Sequence, residues 1–391
     1  MLVFNREQVN KFILSKHHLT KDSKVDDIIQ ISKDLCGLHA TGTIEPYLSL
    51  FARTNNFKRE DLDNELYINK TMARIRGMRK TLFIEPREMI PIVHNAIRYT
   101  TIQRDVKYLE YRGISNVEYE KLSNQILKLL YKNELATSEI KKVLNSQKDI
   151  IAVISIMCDE MLLIRGKPLK SWKDRRISYA PFKKYFPNIN LDEINETEAI
   201  EILIGKYIKN YSPVTVEDIV WWLGLTKGKV NSALINLNDN IKKIKIKNLQ
   251  YDYIINKSDL DTLSKIKEDP FQIVNILPGL DPYMMGYKNR ERYVDLKNYE
   301  YIYDRSGNAT TSILLNGYVI GIWDIVEKPT PQIKVFLFDE VETQIKSQIE
   351  LKCKNVGMFI TEKDASLKFC NKMTPLTKRT MGGFMSPLKE C

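Results

Sequence analysis

The stretch from Tyr211 to Leu237, YSPVTVEDIVWWLGLTKGKVNSALINL, constrains the fold of this chain more than any other. Thr215 and Asp218 have the spacing of a capping box, which begins a helix, and Gly224 is a residue type that commonly ends one. Thr226 can cap a second helix. Apolar residues then recur with the i, i+3, i+4, i+7 spacing of a buried helix face, at Val230, Ala233, Leu234 and Leu237. The stretch therefore predicts two helices joined by a tight turn.

The segment after these helices predicts a winged helix. IKKIKIKNLQYDYII, beginning at Ile241, alternates as strands do and is expected to form the hairpin, or wing. Lys227 and Lys229 point outward near the start of the second helix, where a recognition helix presents groups to DNA. Most helix pairs joined by a short turn are only packing units, so this window alone leaves both interpretations open.

The same order of helices and hairpin recurs near the N-terminus. Asn5 with Gln8, and Ser23 with Asp26, are candidate N-caps of two helices. The predicted elements are helices near 6–16, 24–37 and 44–54, followed by a hairpin within 72–86. A basic hairpin after three helices predicts a second winged helix.

The middle of the chain predicts a third copy, which ends in a strongly basic segment. A short helix to Leu144 and an apolar helix over 148–161 precede a predicted hairpin over 165–184. Its cations are Arg165, Lys167, Lys170, Lys173, Arg175, Arg176, Lys183 and Lys184, with Trp172 and Tyr179 among them. Cations with interleaved aromatic residues predict a wing that follows DNA phosphates, although a charge run is also typical of a solvated surface.

The character of the chain changes after about residue 270. Short apolar pieces separated by turns at 306–308 and at Asn316-Gly317 predict a small β-rich C-terminal domain. The predicted fold class is α+β, with tandem winged-helix units followed by this domain. The expected boundaries are 1–115, 116–185 and 186–268 for the three winged helices, and 269–391 for the C-terminal domain.

Composition favours a nucleic-acid partner and disfavours cofactor chemistry. Lys and Arg total 60 against 49 Asp and Glu, a net charge of +11 over 391 residues, although a basic surface also occurs without such a partner. The histidines and the five scattered cysteines lack the spacing of a metal site or a CxxC motif, and neither a Walker loop nor GxGxxG is present. We therefore expect no metal and no nucleotide cofactor.

Targeting signals and dimerisation elements are also missing from the sequence. No signal peptide opens it, and no apolar run approaches the ~20 residues that span a bilayer. The sequence contains no heptad run of the kind that predicts a dimerising coiled coil. We expect a monomer without a membrane partner, located in the cytoplasm and associated with the nucleoid.

Five segments of the chain resemble those of one known protein family. They are GLHATGTIEPYLSLFAR (37–53), RIRGMRKTLFIEP (74–86), KYIKNYSPVTVEDIVWWLGL (206–225), LPGLDPYMMGYKNR (277–290) and NGYVIGIW (316–323). In this order they are similar to the tandem winged-helix DNA glycosylases that repair alkylated bases and interstrand crosslinks. The resemblance implies damaged double-stranded DNA as the partner. It also implies hydrolysis of the N-glycosidic bond of an N7- or N3-alkylated purine. The sequence gives no sign of a lysine nucleophile, so we expect a monofunctional hydrolase.

The resemblance also implies where the catalytic residues lie. The family motif, Gln-aliphatic-Gln or Gln-aliphatic-Asp, falls on His39-Ala40-Thr41, so both polar positions differ in this chain. We expect a neutral His39 to accept a proton from the attacking water and Thr41 to hold that water. The alternatives are a structural role for His39 at a helix end and a capping role for Thr41. Asp281 is an accessory acidic candidate, although Asp-Pro also begins turns.

The predicted DNA contacts are Arg53, Arg74, Arg76, Arg79, Arg165, Lys167, Lys170, Lys173, Arg175, Arg176, Lys227 and Lys229. Among them Arg79 is favoured, because the resembling segment retains it, whereas Phe83 stands where the family often has His. These departures keep a second function open, that of a non-catalytic, regulatory DNA-binding protein on the same scaffold. A nuclease is disfavoured, because no cluster of carboxylates and lysine lies around a predicted strand.

Overall fold

The computed structural model describes residues 1–98, 102–266 and 272–378. Within them the helices are α1 (Arg6–Lys16), α2 (Ile28–Asp34), α3 (Glu45–Phe51), α4 (Arg59–Asp63), α5 (Ile90–Arg98), α6 (Ile102–Tyr111), α7 (Asn116–Lys132), α8 (Thr137–Leu144), α9 (Ile150–Asp159), α10 (Phe182–Tyr185), α11 (Glu196–Tyr211), α12 (Val216–Leu223), α13 (Lys227–Asn236), α14 (Leu260–Lys265), α15 (Pro282–Met285), α16 (Tyr299–Ile302) and α17 (Thr343–Thr361). The strands are β1 (Leu2–Phe4), β2 (Leu38–His39), β3 (Met72–Arg76), β4 (Leu82–Pro86), β5 (Leu135–Ala136), β6 (Leu163–Pro168), β7 (Ile177–Pro181), β8 (Ile241–Ile246), β9 (Tyr253–Asn256), β10 (Val274–Leu277), β11 (Ser312–Leu315), β12 (Tyr318–Val326), β13 (Gln332–Leu337) and β14 (Ser366–Phe369).

One order of elements occurs three times: helix, short strand, two helices, hairpin. The first unit runs α2, β2, α3, α4, β3, β4, and the second runs α7, β5, α8, α9, β6, β7. In the third, α11 is followed by a single bridge between Val214 and Ile254, then by α12, α13, β8 and β9. In each unit the short strand or bridge pairs with the last strand of the hairpin. This repetition confirms the α+β fold with tandem winged-helix units.

The helix-turn-helix of the third unit forms as its sequence predicts. The Thr215 hydroxyl accepts from the amide of Asp218 at 3.0 Å, and the Asp218 carboxylate accepts from the amide of Thr215 at 2.8 Å. Gly224 ends α12 with φ of 72°, a left-handed conformation that glycine adopts without strain. Thr226 accepts from the amide of Lys229 at the start of α13. Local capping chemistry therefore sets the bounds of both helices.

The N-terminal region departs from its prediction. The α2 N-cap is Asp27, whose carboxylate accepts from two amides at 2.9 and 3.0 Å, so the predicted cap at Ser23 is wrong. The predicted helix over 6–16 forms as α1 with the Asn5 capping box, but it packs on α11 of the third unit and does not belong to the first. β1 pairs in parallel with β8 and completes the third unit's sheet. The domain boundaries given above stay predictions.

The C-terminal region contains a five-stranded sheet in the order β10-β11-β12-β13-β14. Asn316 and Gly317 turn β11 into β12 with φ of 54° and 79°, as the Asn-Gly signal predicts. The sheet packs against α17 through Ile345, Ile349 and Cys353, and the sequence analysis predicts no helix there. Among the described residues, no helix has both the length and the apolar character that crossing a bilayer requires.

Candidate active site

The predicted catalytic motif lies where the short strand of the first unit ends. His39 closes β2 and is paired in register with Phe83 of β4, and the amide of Ala40 donates to the Leu82 carbonyl at 2.7 Å. The chain then passes through residues 40–44, here called the motif turn, into α3. Thr41 is exposed on this turn, whereas His39 is only 4 % exposed. A strand end followed by a turn, and not a helix end, therefore presents the motif.

The environment of His39 keeps its imidazole neutral. Its ring lies 5.0 Å from the Phe83 ring, and both ring nitrogens are buried without a hydrogen-bond partner within the protein. Burial lowers the pKa of His39 to about 3, and the positive charge of Arg79 acts in the same direction. The side chain is thus an uncharged hydrogen-bonding group at neutral pH, and only a weak base.

Arg74 of β3 fixes the conformation of the motif turn. Its guanidinium donates to the Ala40 carbonyl and, at 3.4 Å, to the Gly42 carbonyl, while its Nε remains unpartnered. Burial lowers the pKa of Arg74, and the charge of Arg165 from β6 lowers it further. The predicted DNA contact at Arg74 is therefore a residue that shapes the turn itself.

Glu45 is a residue of this site that the sequence analysis missed. It begins α3, yet it is only 4 % exposed, and its Oε2 lacks a hydrogen-bond partner. The carboxylate lies over Gly42 so closely that a β-carbon at Gly42 would be 1.9 Å from Oε2. Burial raises the pKa of Glu45, against the effects of nearby backbone amides, Arg74 and Arg175. The signal in the sequence was an acidic residue inside the otherwise apolar segment IEPYLSLF.

The hairpin of the second unit covers the motif turn. Trp172, in the β6–β7 connection, lies 5.0 Å from the Tyr47 ring, and the Thr43 hydroxyl donates to the Lys173 carbonyl at 3.4 Å. A cavity of about 20 Å³ remains beneath, with room for a single water molecule. Its lining residues are Gly42, Thr43, Pro46, Tyr47, Leu66, Tyr67, Arg74, Ile84, Pro168 and Trp172.

The structure corrects the predictions for Arg53 and Asp281. Both side chains are completely buried, and the guanidinium donates to the two carboxylate oxygens at 2.8 and 2.7 Å. Arg53 also donates to the Ser49 and His17 carbonyls, and Asp281 accepts from Ser49 and from the Tyr283 amide. A buried charge requires a partner of opposite charge, and here Arg53 and Asp281 are partners of each other. The burial of Arg53 argues against the predicted DNA contact, and the ion pair gives Asp281 a structural role in place of the predicted accessory one.

Arg79 lies between the first and third units. The tip of the β3–β4 hairpin packs on α12, with the Arg79 guanidinium 3.9 Å above the Trp221 ring and its backbone beside Gly224. Burial lowers the pKa of Arg79 to about 10, and the positive charge of Arg290 contributes. Half-buried against an indole, Arg79 has a clear packing role, so its contact with a phosphate stays a prediction.

The other predicted DNA contacts fall into two groups. Those with an ion-pair partner are Arg76 with Asp159, Lys173 with Glu327, Arg176 with Asp174, Lys227 with Glu217 and Lys229 with Glu196. Lys167, Lys170 and Arg175 are exposed along the β6–β7 hairpin, and half-buried Arg165 lies beside Arg74. Of the second group, Arg165 and Arg175 act on Arg74 and Glu45 beside the motif turn, whereas Lys167 and Lys170 line a surface pocket with residues of α4.

The chain is similar to one known protein family and to a solved structure. The family model described as DNA glycosylase AlkZ-like matches residues 33–340, a span that contains the motif turn, Arg74, Glu45 and the β6–β7 hairpin. The DNA glycosylase AlkZ of Streptomyces sahachiroi superposes with a TM-score of 0.77 at 15% identity, covering 95% of this chain and 100% of that one. At this identity the likeness shows a shared fold. Among curated proteins, none matches the chain significantly by sequence.

Proposed function

The chain belongs to the AlkZ-like DNA glycosylase family, and on that premise we propose that it releases N7- or N3-alkylated purines, including crosslinked ones, from double-stranded DNA. Such a base is positively charged and leaves readily, so the protein needs a positioned water and stabilisation of a cationic sugar more than it needs a general acid. The motif turn carries this proposal, because it concentrates unpartnered hydrogen-bonding groups beside exposed cations.

We assign the water-positioning roles to His39 and Thr41. Thr41 is exposed on the turn, where its hydroxyl can hold a water molecule. The unpartnered nitrogens of His39 are costly in the free protein, which favours a role in which substrate or water supplies the missing hydrogen bond. Because the pKa of His39 is lowered to about 3, it contributes by orienting the water as a neutral group.

The cations around the motif turn support binding to the DNA backbone. Arg165, Lys167, Lys170 and Arg175 lie on one hairpin that covers the turn. Contacts of this kind hold duplex DNA through its phosphates without reading its sequence, as a repair enzyme requires. The proposal includes a monomer that works on nucleoid DNA, with any contacts of Lys227 and Lys229 secondary because both form ion pairs.

Base release tests the proposal directly. Duplexes carrying N7-methylguanine or a nitrogen-mustard crosslink would be incubated with the protein and then cleaved by alkali at abasic sites. We expect release by the wild type, a loss of about 10²-fold in His39→Ala because the water is no longer held in place, and substantial retention in His39→Gln, which keeps an uncharged hydrogen-bonding group. DNA affinity should be unchanged in both variants.

Thr41→Ala has a matched control in Thr197→Ala, because Thr197 is an exposed threonine on α11. The first should lower the rate of base release, whereas the second should not. Tight DNA binding without release from either lesion would contradict the proposal and would favour the non-catalytic DNA-binding protein.

A further inference from the structure

We propose that Glu45 is a further catalytic residue of this site, whose carboxylate takes the proton of the attacking water and faces the sugar cation as it forms. The proposal rests on the glycosylase function proposed above and names the base of that reaction. It starts from an unusual position for a carboxylate, since Glu45 is buried at the start of α3 with Oε2 unpartnered. Burying such a group costs free energy, which a role in the complex would offset.

The motif turn holds this carboxylate against Gly42, the residue that follows Thr41 in the chain. Oε2 occupies the space that a side chain at residue 42 would fill, so only glycine at that position admits it. Arg74 holds the turn by its Ala40 and Gly42 carbonyls and leaves its own Nε unpartnered. The water-sized cavity under Trp172 is lined by Gly42 and Arg74 but not by Glu45, whose carboxylate lies against Gly42. The unpartnered Glu45 Oε2, the unpartnered Arg74 Nε and a cavity for one water therefore all lie beside the motif turn.

The electrostatic environment suits a base at neutral pH. Burial raises the pKa of Glu45, which makes the carboxylate a stronger base than an exposed one. Arg74 from β3, Arg175 from the β6–β7 connection, and the amides of Ile44 and Glu45 oppose that rise and favour ionisation. His39 differs, because its pKa is lowered to about 3. Of the two groups, the carboxylate is the better proton acceptor.

The chemical step balances with these groups. The water oxygen forms a bond to C1′ of the sugar while one of its protons passes to the Glu45 carboxylate. The N-glycosidic bond breaks, and its electron pair leaves with the cationic purine, which becomes neutral. The products are an abasic sugar bearing a hydroxyl at C1′, a free alkylated base and a neutral Glu45 carboxyl that returns its proton to solvent.

The first test is the pH dependence of base release under single-turnover conditions. We expect the wild-type rate to fall as the pH falls through the pKa of Glu45, because the carboxylate must be ionised. Glu45→Gln should release base about 100-fold or more slowly, with the acid limb removed, and Glu45→Asp should keep that limb at a reduced rate. Glu85→Gln is the matched control, since Glu85 is another buried, unpartnered carboxyl in the same unit and lies against Gly37. It should leave the rate unchanged.

A second test does not depend on turnover. Affinity would be measured for duplexes that contain either a cationic pyrrolidine or a neutral tetrahydrofuran in place of the target nucleotide. A carboxylate that faces the sugar should give the wild type a preference of about tenfold for the cation, which Glu45→Gln loses while its affinity for tetrahydrofuran stays the same.

These measurements separate the inference from the function on which it rests. Base release at the wild-type rate by Glu45→Gln would overturn the role of Glu45 and leave the glycosylase function standing. A wild type that prefers the cationic analogue but releases neither lesion would overturn the substrate assignment and support the placement of Glu45. A wild type that neither releases a base nor prefers the cationic analogue would overturn both the glycosylase function and the role of Glu45.

Discussion

Glu85 offers a sharp test of the electrostatics of the first unit. Its side chain is completely buried in β4, neither carboxyl oxygen has a hydrogen-bond partner, and burial raises its pKa to about 8 despite the positive charge of Lys206. The folded protein therefore keeps a proton that the unfolded chain releases near the ordinary pKa of 4.5. Between these two pH values the folded state binds more protons than the unfolded one, so stability falls as the pH rises and levels off above about 8.

The size of this effect follows from the difference in pKa. Each pH unit between the two pKa values costs about 1.4 kcal/mol, so the wild type should lose about 4 kcal/mol through this group between pH 5 and pH 9. Glu85→Gln keeps the shape of the side chain and removes its ionisation. The difference in the free energy of unfolding should therefore shift in favour of the variant by about 3 kcal/mol between pH 5 and pH 7. It should shift by about 1 kcal/mol more between pH 7 and pH 9.

Urea unfolding at pH 5, 7 and 9 measures this difference. The comparison across pH matters more than any single value, because the buried glutamine amide has a cost of its own that does not change with pH. Glu60→Gln, at an exposed position in the same unit, is the control and should follow the wild type. Parallel pH profiles for wild type and Glu85→Gln would refute the burial argument.

Three further changes test other parts of the structure. Gly37→Ala should destabilise the fold by about 1–3 kcal/mol in urea unfolding, because Gly37 has φ of +93° and a β-carbon there would lie 2.2 Å from Glu85. The control, Gly113→Ala, should cost less, because Gly113 has φ of +67° but open space around it. Arg53→Met should cost about 3–5 kcal/mol by leaving Asp281 charged and unpaired, and adding Asp281→Leu should recover part of that loss; no recovery would argue against the ion pair. Lys170→Ala should weaken DNA binding equally for unrelated sequences and lower the slope of log affinity against log salt by about 1, and an unchanged slope would exclude a phosphate contact.

The local elements of the fold were predictable because their signals lie within a few residues. The Thr215 capping box, the left-handed Gly224 and the Asn316-Gly317 hairpin each depend on contacts between near neighbours in the chain. The pairing of β1 with β8 was missed, because a three-residue strand has almost no pattern of its own and its partner lies more than 230 residues away. Contacts at that distance in sequence are set by the packing of whole units.

The candidate site shows the same division. The position of the motif was predicted through the family resemblance, but the roles of individual charges were not. The sequence predicts Arg53 to be a surface cation, because its ion-pair partner, Asp281, lies far along the chain. In the sequence, Glu45 has the pattern of an ordinary residue at a helix start. In the fold its carboxylate is buried in the space that Gly42 leaves open. Whether a charged residue meets solvent, a partner or a ligand is a property of tertiary packing, which no spacing in the sequence encodes.

The hairpins, read from sequence as wings that hold DNA, also assemble the site. The β3–β4 tip packs on α12 through Arg79 and Trp221, so the first and third units are joined there. The β6–β7 hairpin packs on the motif turn through Trp172 and carries exposed Lys170 at the same time. With the phosphate contacts proposed above for Lys170 and its neighbours, this hairpin would fix the distance between the backbone contacts and the groups that act on the base. Substitutions in β6–β7 should therefore alter DNA affinity and base release together, whereas substitutions of His39 and Glu45 should alter base release without changing the affinity for undamaged DNA.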